Sequence, residues 1–227
     1  MKYYRSMILA IVVMSVMTIA ESALAGGFGF YVQGGGGDAE WEADDLRGDF
    51  DFESKVGHAG LGAVYDSNVS RNTLFNYRVS FGYESAVHDP DNDWDEIRLH
   101  SYVLDQDFGF GLYRTPDLRF WIGPEIRISY SQGSPEDDND LEFKLWGFGV
   151  GPVAGINFHV SRRVSLGLKA GLLSIGYTGK LEDDRDRFDD EDYQMSQGYA
   201  FFNFSVIFRF GEPSFAMPKK SGGSTSF

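Results

Sequence analysis

The sequence predicts an all-β chain, an eight-stranded antiparallel up-and-down transmembrane β-barrel. Three observations carry that expectation. Segment after segment alternates apolar with polar residues at a period of two, the repeat of a strand. These segments number eight, and bacterial single-chain membrane barrels have an even count. Acidic residues collect in every second gap between them: 27 of the 34 Asp and Glu fall within 38–53, 84–96, 136–142 and 182–192.

The first strand begins with Phe28, Phe30 and Val32 and runs into Gly34-Gly35-Gly36-Gly37. That run has no Lys and no helix behind it, so it reads as strand or flexible loop, not as a phosphate cradle. Val56 to Tyr65 is the second, with Leu61, Ala63 and Tyr65 on one side. In the third, Phe75, Tyr77, Val79, Phe81 and Tyr83 alternate with Asn76, Arg78, Ser80, Gly82 and Glu84. In the fourth, Ile97, Leu99, Ser101 and Val103 alternate with Arg98, His100 and Tyr102. Here Asp105 and Asp107 fall on the face of Ile97 and Leu99, where a charge toward lipid is costly. A β-bulge near Leu104 would change the register; alternatively the strand ends there. In the fifth, Phe120, Ile122, Ile126, Ile128 and Tyr130 alternate with Arg119, Trp121, Glu125, Arg127 and Ser129. The sixth carries Trp146, Phe148, Val150, Ala154, Ile156 and Phe158 on one face, and the seventh runs from Val164 to Thr178. The eighth is clearest: Ser196 to Phe210 places Phe202, Phe204, Val206, Phe208 and Phe210 opposite Gln197, Asn203, Ser205 and Arg209.

The N-terminus predicts export. Lys2 and Arg5 precede the apolar run Met7 to Ala20, and Ala23-Leu24-Ala25 is a small-x-small cleavage pattern, so residues 1–25 read as a signal peptide. The barrel then occupies 26–210. Residues 211–227, with Pro213, Pro218, Lys219, Lys220 and a Gly-Ser stretch, read as a disordered periplasmic tail. No later segment is apolar enough to span as a helix. The absence of cysteine excludes an acylated lipoprotein, a disulfide framework and a thiolate metal site. A formal charge of -14 argues against nucleic acid as a partner.

The four acidic clusters separate strands 1–2, 3–4, 5–6 and 7–8, whereas the other connections are short. Long loops at one end and short turns at the other place the acidic loops outside the cell and both termini in the periplasm. Carboxylates are hard ligands for divalent cations, which would bridge the loops to lipopolysaccharide phosphates. Asp89, Asp91, Asp93 and Asp95 resemble the start of a calcium loop. However, Trp94 replaces the turn glycine and His100 the closing Glu, so no calcium loop is assigned.

Eight strands enclose only enough room for side chains or one small ligand. The inward residues Arg78, Glu84, Arg98, Glu125, Arg127, Lys169 and Arg209 are expected to form lumen ion pairs, because an unpaired buried charge is expensive. Such pairs plug the lumen and argue against a general porin. No metal, cofactor or catalytic set is expected. His58, His88 and His100 lack partners at metal-ligand spacing. His159-Val160-Ser161 resembles the His-x-Ser pair that eight-stranded lipid A deacylases combine with a Glu on a nearby strand, but it falls at a turn followed by Arg162 and Arg163, and no Glu occupies the following strand before Glu182.

The signal segment, the strand–loop alternation and the last strand together resemble the small eight-stranded outer-membrane proteins, the group of the OmpA transmembrane domain, OmpX and OmpW. The resemblance spans Gly26 to Phe210. It implies that Phe204, Val206, Phe208 and Phe210 form the signal read by the barrel-assembly machinery. Two roles stay open: a structural or interaction barrel whose acidic loops meet cations, lipopolysaccharide or other partners, and an OmpW-like route for small hydrophobic molecules with lateral release. In the second, Trp41, Phe50 or Trp94 would line the mouth, although loop packing explains them equally. A soluble periplasmic barrel with its apolar faces turned inward is the remaining alternative, disfavoured by the Phe-rich last strand.

Overall fold

The computed structural model describes residues 26–43, 52–67, 69, 74–91, 96–136, 141–183 and 191–210. The export segment 1–25, the tail 211–227 and most of the loop acids lie outside them. Eight strands follow one another: β1 (Gly27–Ala43), β2 (Phe52–Asp66), β3 (Phe75–Pro90), β4 (Ile97–Arg114), β5 (Leu118–Pro135), β6 (Leu141–His159), β7 (Val164–Asp183) and β8 (Glu191–Arg209). Each pairs antiparallel with the next, and β1 closes on β8, with Phe30 opposite Val206 and Gln33 opposite Asn203. Closure leaves no edge strand, so every backbone group within the ladder has a partner strand, which is the condition for crossing hydrocarbon.

The outer surface carries the apolar side chains. Phe30 is 61% exposed, Leu61 63%, Phe81 58%, Leu172 60% and Phe202 54%, whereas inward Arg78, Arg127 and Lys169 are 1%, 2% and 1%. That distribution is the reverse of a soluble barrel's. Gly34 to Gly37 lies within β1.

The strands run 15 to 20 residues, well beyond the roughly 9–11 needed to cross a bilayer. Their excess length projects toward the acidic connections, and there the pattern inverts. On β1 the outward residues change from Phe28, Phe30 and Val32 to Asp38, Glu40 and Glu42, while Ala39 and Trp41 turn inward and are buried. β6 presents Lys144 outward with Phe143 and Leu145 inward, then Trp146, Phe148 and Val150 outward. Where water replaces lipid outside, the apolar face must point into the barrel.

This inversion resolves the fourth strand. β4 runs unbroken past Leu104, with Phe81 opposite Leu104 and Ser80 opposite Asp105. Ile97, Leu99, Ser101, Val103, Asp105 and Asp107 all point inward, so neither a bulge at Leu104 nor an early strand end is present. The register shift lies lower, between Gly111 and Tyr113. As a further correction, Arg98 points outward and is exposed, so it is no lumen residue.

Two proline positions interrupt the ladder. The β4–β5 pairing skips from Asp107–Glu125 to Phe110–Ile122, and β6–β7 skips from Val150–Ser174 to Val153–Gly171. Gly123-Pro124 and Gly151-Pro152 occupy these gaps, and the two prolines face each other across β5–β6. Proline has no N–H to give the ladder.

Candidate functional site

Among the described residues, the lumen gathers a set of buried charged groups. Alternation puts Arg78 and Glu84 on the inner face of β3, Asp105 and Asp107 on that of β4, Glu125 and Arg127 on that of β5, and Lys169 on that of β7. Register then aligns them: Arg78 stands opposite Asp107, Asp107 opposite Glu125, and Asp105 opposite Arg127.

Arg127 is the hub. Its guanidinium forks onto Asp105, Nε donating to Oδ1 at 2.7 Å and Nη2 to Oδ2 at 3.0 Å. Nη1 donates to Glu84 Oε2 at 2.9 Å and also to the Tyr199 hydroxyl. The planar fork matches a carboxylate in a way a lysine cannot. Lys169 Nζ bonds both oxygens of Asp107 at 3.2 Å and Glu125 Oε2 at 2.6 Å. Arg78 Nε lies 3.8 Å from Asp107, and its Nη2 donates to Ser205 Oγ at 3.0 Å. Gln33 and Asn203 extend the lattice: Gln33 Nε2 donates to Glu84 Oε1 at 2.9 Å and Asn203 Nδ2 to Gln33 Oε1 at 3.1 Å. The network thus ties β1, β3, β4, β5, β7 and β8 through side chains alone.

Apolar layers bracket it. Toward the acidic connections, Trp41, Phe52, Val56, Ile97, Leu99, Phe143, Leu145, Tyr193 and Met195 form a cap. Trp41 stacks on Phe52 at 5.5 Å and meets Phe143 edge-on at 5.3 Å. Its indole N–H reaches Ser54 Oγ at 3.2 Å, which in turn lies 3.3 Å from His88 Nδ1. Toward the short turns, Tyr31, Val64, Val69 and Ile207 close the floor. Large side chains fit because their neighbours are glycine. A Cβ on Gly82 would fall 2.1 Å from the Tyr31 hydroxyl, and one on Gly155 would fall 2.3 Å from the Trp121 ring. Trp41, Trp121, Leu145, Asp107 and Glu125 are all fully buried.

Of the residues expected in lumen ion pairs, Arg78, Glu84, Glu125, Arg127 and Lys169 sit in this lattice. Arg98 is on the outer wall. Arg209 points inward near the floor, but its guanidinium donates to the Ser161 carbonyl instead of a carboxylate. The sequence reading left out Asp105 and Asp107, the acids that bind Arg127 and Lys169. Their signal in the sequence is two acids on one face of β4, a face that Ile97 and Leu99 make look lipid-facing.

Asp89 is exposed and Asp91 N donates to the Glu53 carbonyl at 2.9 Å, while Asp93 and Asp95 lie outside the described residues. Among the described residues no group of three acids or histidines is placed to hold a metal ion. Phe50 and Trp94 also lie outside them. His159 does not meet Ser161: its Nδ1 is 2.7 Å from Ser165 Oγ, a hydroxyl with no solvent exposure. Ser161 Oγ instead accepts from the backbone N–H groups of Arg163 and Val164, fixing the β6–β7 turn. Phe204, Phe208 and Phe210 are exposed on the outside of β8 and its end, with Val206 partly so.

The chain is similar to several solved structures. OprG from Pseudomonas aeruginosa is 10% identical with a TM-score of 0.49, covering 81% of this chain and 96% of its own. Neisserial surface protein A is 16% identical with a TM-score of 0.38, covering 77% and 95%. The outer membrane protease OmpT from Escherichia coli is 9% identical with a TM-score of 0.40, covering 82% and 97%. No curated protein matches in sequence. A family model described as the outer membrane protein beta-barrel domain matches residues 6–201, and the chain therefore belongs to that family, whose barrels are set in the bacterial outer membrane.

Proposed function

We propose that the protein is a sealed barrel with a structural and interaction role, exported by cleavage after Ala25 and set with both termini in the periplasm. Its acidic loops meet divalent cations and lipopolysaccharide outside the cell, and the barrel-assembly machinery reads Phe204, Val206, Phe208 and Phe210. The single observation that supports this reading is the filled lumen. Arg127 binds Asp105 and Glu84, Lys169 binds Asp107 and Glu125, and an apolar cap lies over them, so side chains occupy the space an aqueous pore would need. Single-channel recording in planar bilayers tests it. The refolded protein is expected to give no discrete conductance steps; steady steps in the intact barrel overturn the reading.

A second reading has one observation in its favour. Gly123-Pro124 and Gly151-Pro152 weaken the β4–β5 and β6–β7 seams at positions whose outward neighbours are apolar. A small hydrophobic molecule that displaced part of the Trp41 cap would find there the least costly exit to the bilayer. Uptake of a hydrophobic fluorophore by vesicles containing the protein, lost when Pro124 and Pro152 are replaced by valine, would favour transport over the sealed barrel. Equal uptake with and without protein removes it.

A further inference from the structure

Lys169, Asp107 and Glu125 meet inside the barrel with their side chains fully buried. Strand pairing sets the two carboxyls side by side, Asp107 on β4 facing Glu125 on β5. Lys169 reaches them from β7, a strand that pairs with neither. Its Nζ lies 3.2 Å from both Oδ1 and Oδ2 of Asp107 and 2.6 Å from Glu125 Oε2. Equal distances to the two oxygens centre the amine on Asp107 Cγ, at the separation of about 3–3.5 Å from which a nucleophile attacks.

The surroundings favour a neutral product over an ion pair. The Phe201 ring lies 5.1 Å from Lys169 Nζ, and Phe201 packs with Trp121, Val153 and Leu173 in one buried apolar cluster. Charges taken out of water carry a desolvation cost even when paired, and an amide between the two side chains removes it. One charge of each sign disappears, so the charge balance of the lattice is unchanged. Arg78 Nε stands 3.8 Å from Asp107 Oδ2, on the oxygen that gains electron density during attack.

We propose that Lys169 and Asp107 condense into a side-chain amide, with Glu125 as the proton relay. The Lys169 ammonium passes one proton to Asp107 Oδ1 by way of Glu125, giving a free amine and a carboxylic acid. The amine lone pair forms the Nζ–Cγ bond as the carbonyl π pair moves onto Oδ2, beside the Arg78 guanidinium. That pair then returns, the Cγ–Oδ1 bond breaks, and Oδ1 leaves as water with a second Lys169 proton carried by Glu125. An ammonium and a carboxylate become one amide and one water, and no other reactant is needed. The product joins β4 to β7 between positions 62 residues apart, in a chain with no cysteine. Such a bridge restricts the unfolded chain as a disulfide does. It goes beyond the sealed-barrel reading and does not depend on it, since mass and conductance are separate measurements.

The test is the intact mass of the full chain, refolded in detergent micelles and then denatured for electrospray. The refolded chain is expected to be lighter by one water than the same chain held in guanidinium throughout. Trypsin should release a branched peptide that holds both Asp107 and Lys169. Glu125→Gln preserves the side-chain size but cannot relay the proton, so conversion should slow about a hundredfold or more; Asp107→Ala should abolish it. Heat-modified gel mobility checks that each variant folds. Should neither fold, the wild-type time course decides: the water must be lost after refolding begins and not before. A folded wild-type chain that keeps its full mass on prolonged incubation holds a salt bridge only, which overturns the proposal. Water loss that fragmentation places at other residues overturns it too, as does equal loss in the unfolded chain or in folded Glu125→Gln.

Discussion

Replacing Arg127 with alanine is the sharpest test of the lumen. The guanidinium satisfies Asp105 through two bonds of 2.7 and 3.0 Å and Glu84 through one of 2.9 Å. All three side chains are at most 6% exposed. Alanine leaves both carboxylates buried without their counter-ion and opens a hole the size of the guanidinium. Removing one partner of a buried pair costs about 3–5 kcal/mol; two stranded acids place Arg127→Ala at the upper end, about 5 kcal/mol. Set against total stabilities of about 5–15 kcal/mol, that is a large share. Arg98→Ala supplies the contrast, since Arg98 lies exposed on the outer wall. A surface change there is expected within about 0.5 kcal/mol. Guanidinium unfolding of the refolded barrel in vesicles, followed by tryptophan fluorescence and gel mobility, reads both. If Arg127→Ala loses less than about 1 kcal/mol, or the two variants match, the buried lattice is not what holds the strands together.

Further outcomes follow from the same geometry. Leu99→Ala removes packing from the inward cap and should cost about 2–5 kcal/mol. Leu112→Ala, on the 61% exposed outer face, should cost far less in vesicles because lipid fills the space; unfolding curves for the pair settle it. Phe202→Arg places a cation among the lipid-facing side chains of β8 and should cost about 2–4 kcal/mol if that level is the bilayer midplane; insertion into vesicles at wild-type yield and stability contradicts the outward assignment. Gly155→Ala drives a Cβ to 2.3 Å from the Trp121 ring. It should cost about 1–3 kcal/mol through overpacking and shift the tryptophan emission, whereas an unchanged spectrum and stability would show that the ring does not lie over Gly155.

Strand number, antiparallel order and the two faces of β5, β6 and β8 were legible because alternation at a period of two is a local property of the chain. In β8, Phe202, Phe204 and Phe208 against Asn203 and Ser205 leave little room for another assignment. The lattice was partly legible: Arg78, Glu84, Glu125, Arg127 and Lys169 could be placed inside by face alone. Arg98 and the two aspartates of β4 could not, because alternation separates two faces without saying what medium each one meets. Ile97 and Leu99 look like lipid-facing residues from their neighbours in sequence. They are interior because β4 continues past the bilayer, where the outside is water.

The amino-acid sequence by itself determined that eight alternating segments must close and that their aromatic faces seek an apolar surround. Only the tertiary structure decided where along each strand lipid ends, and hence which face of β4 is inside. It also decided which acid meets which base, since Asp105 finds Arg127 and Lys169 finds Glu125 through strand register and across the lumen. Those partners are 22 and 44 residues apart in the chain. The physical reason is that burial and pairing are properties of the closed barrel and the solvent boundary around it, neither of which any single strand encodes.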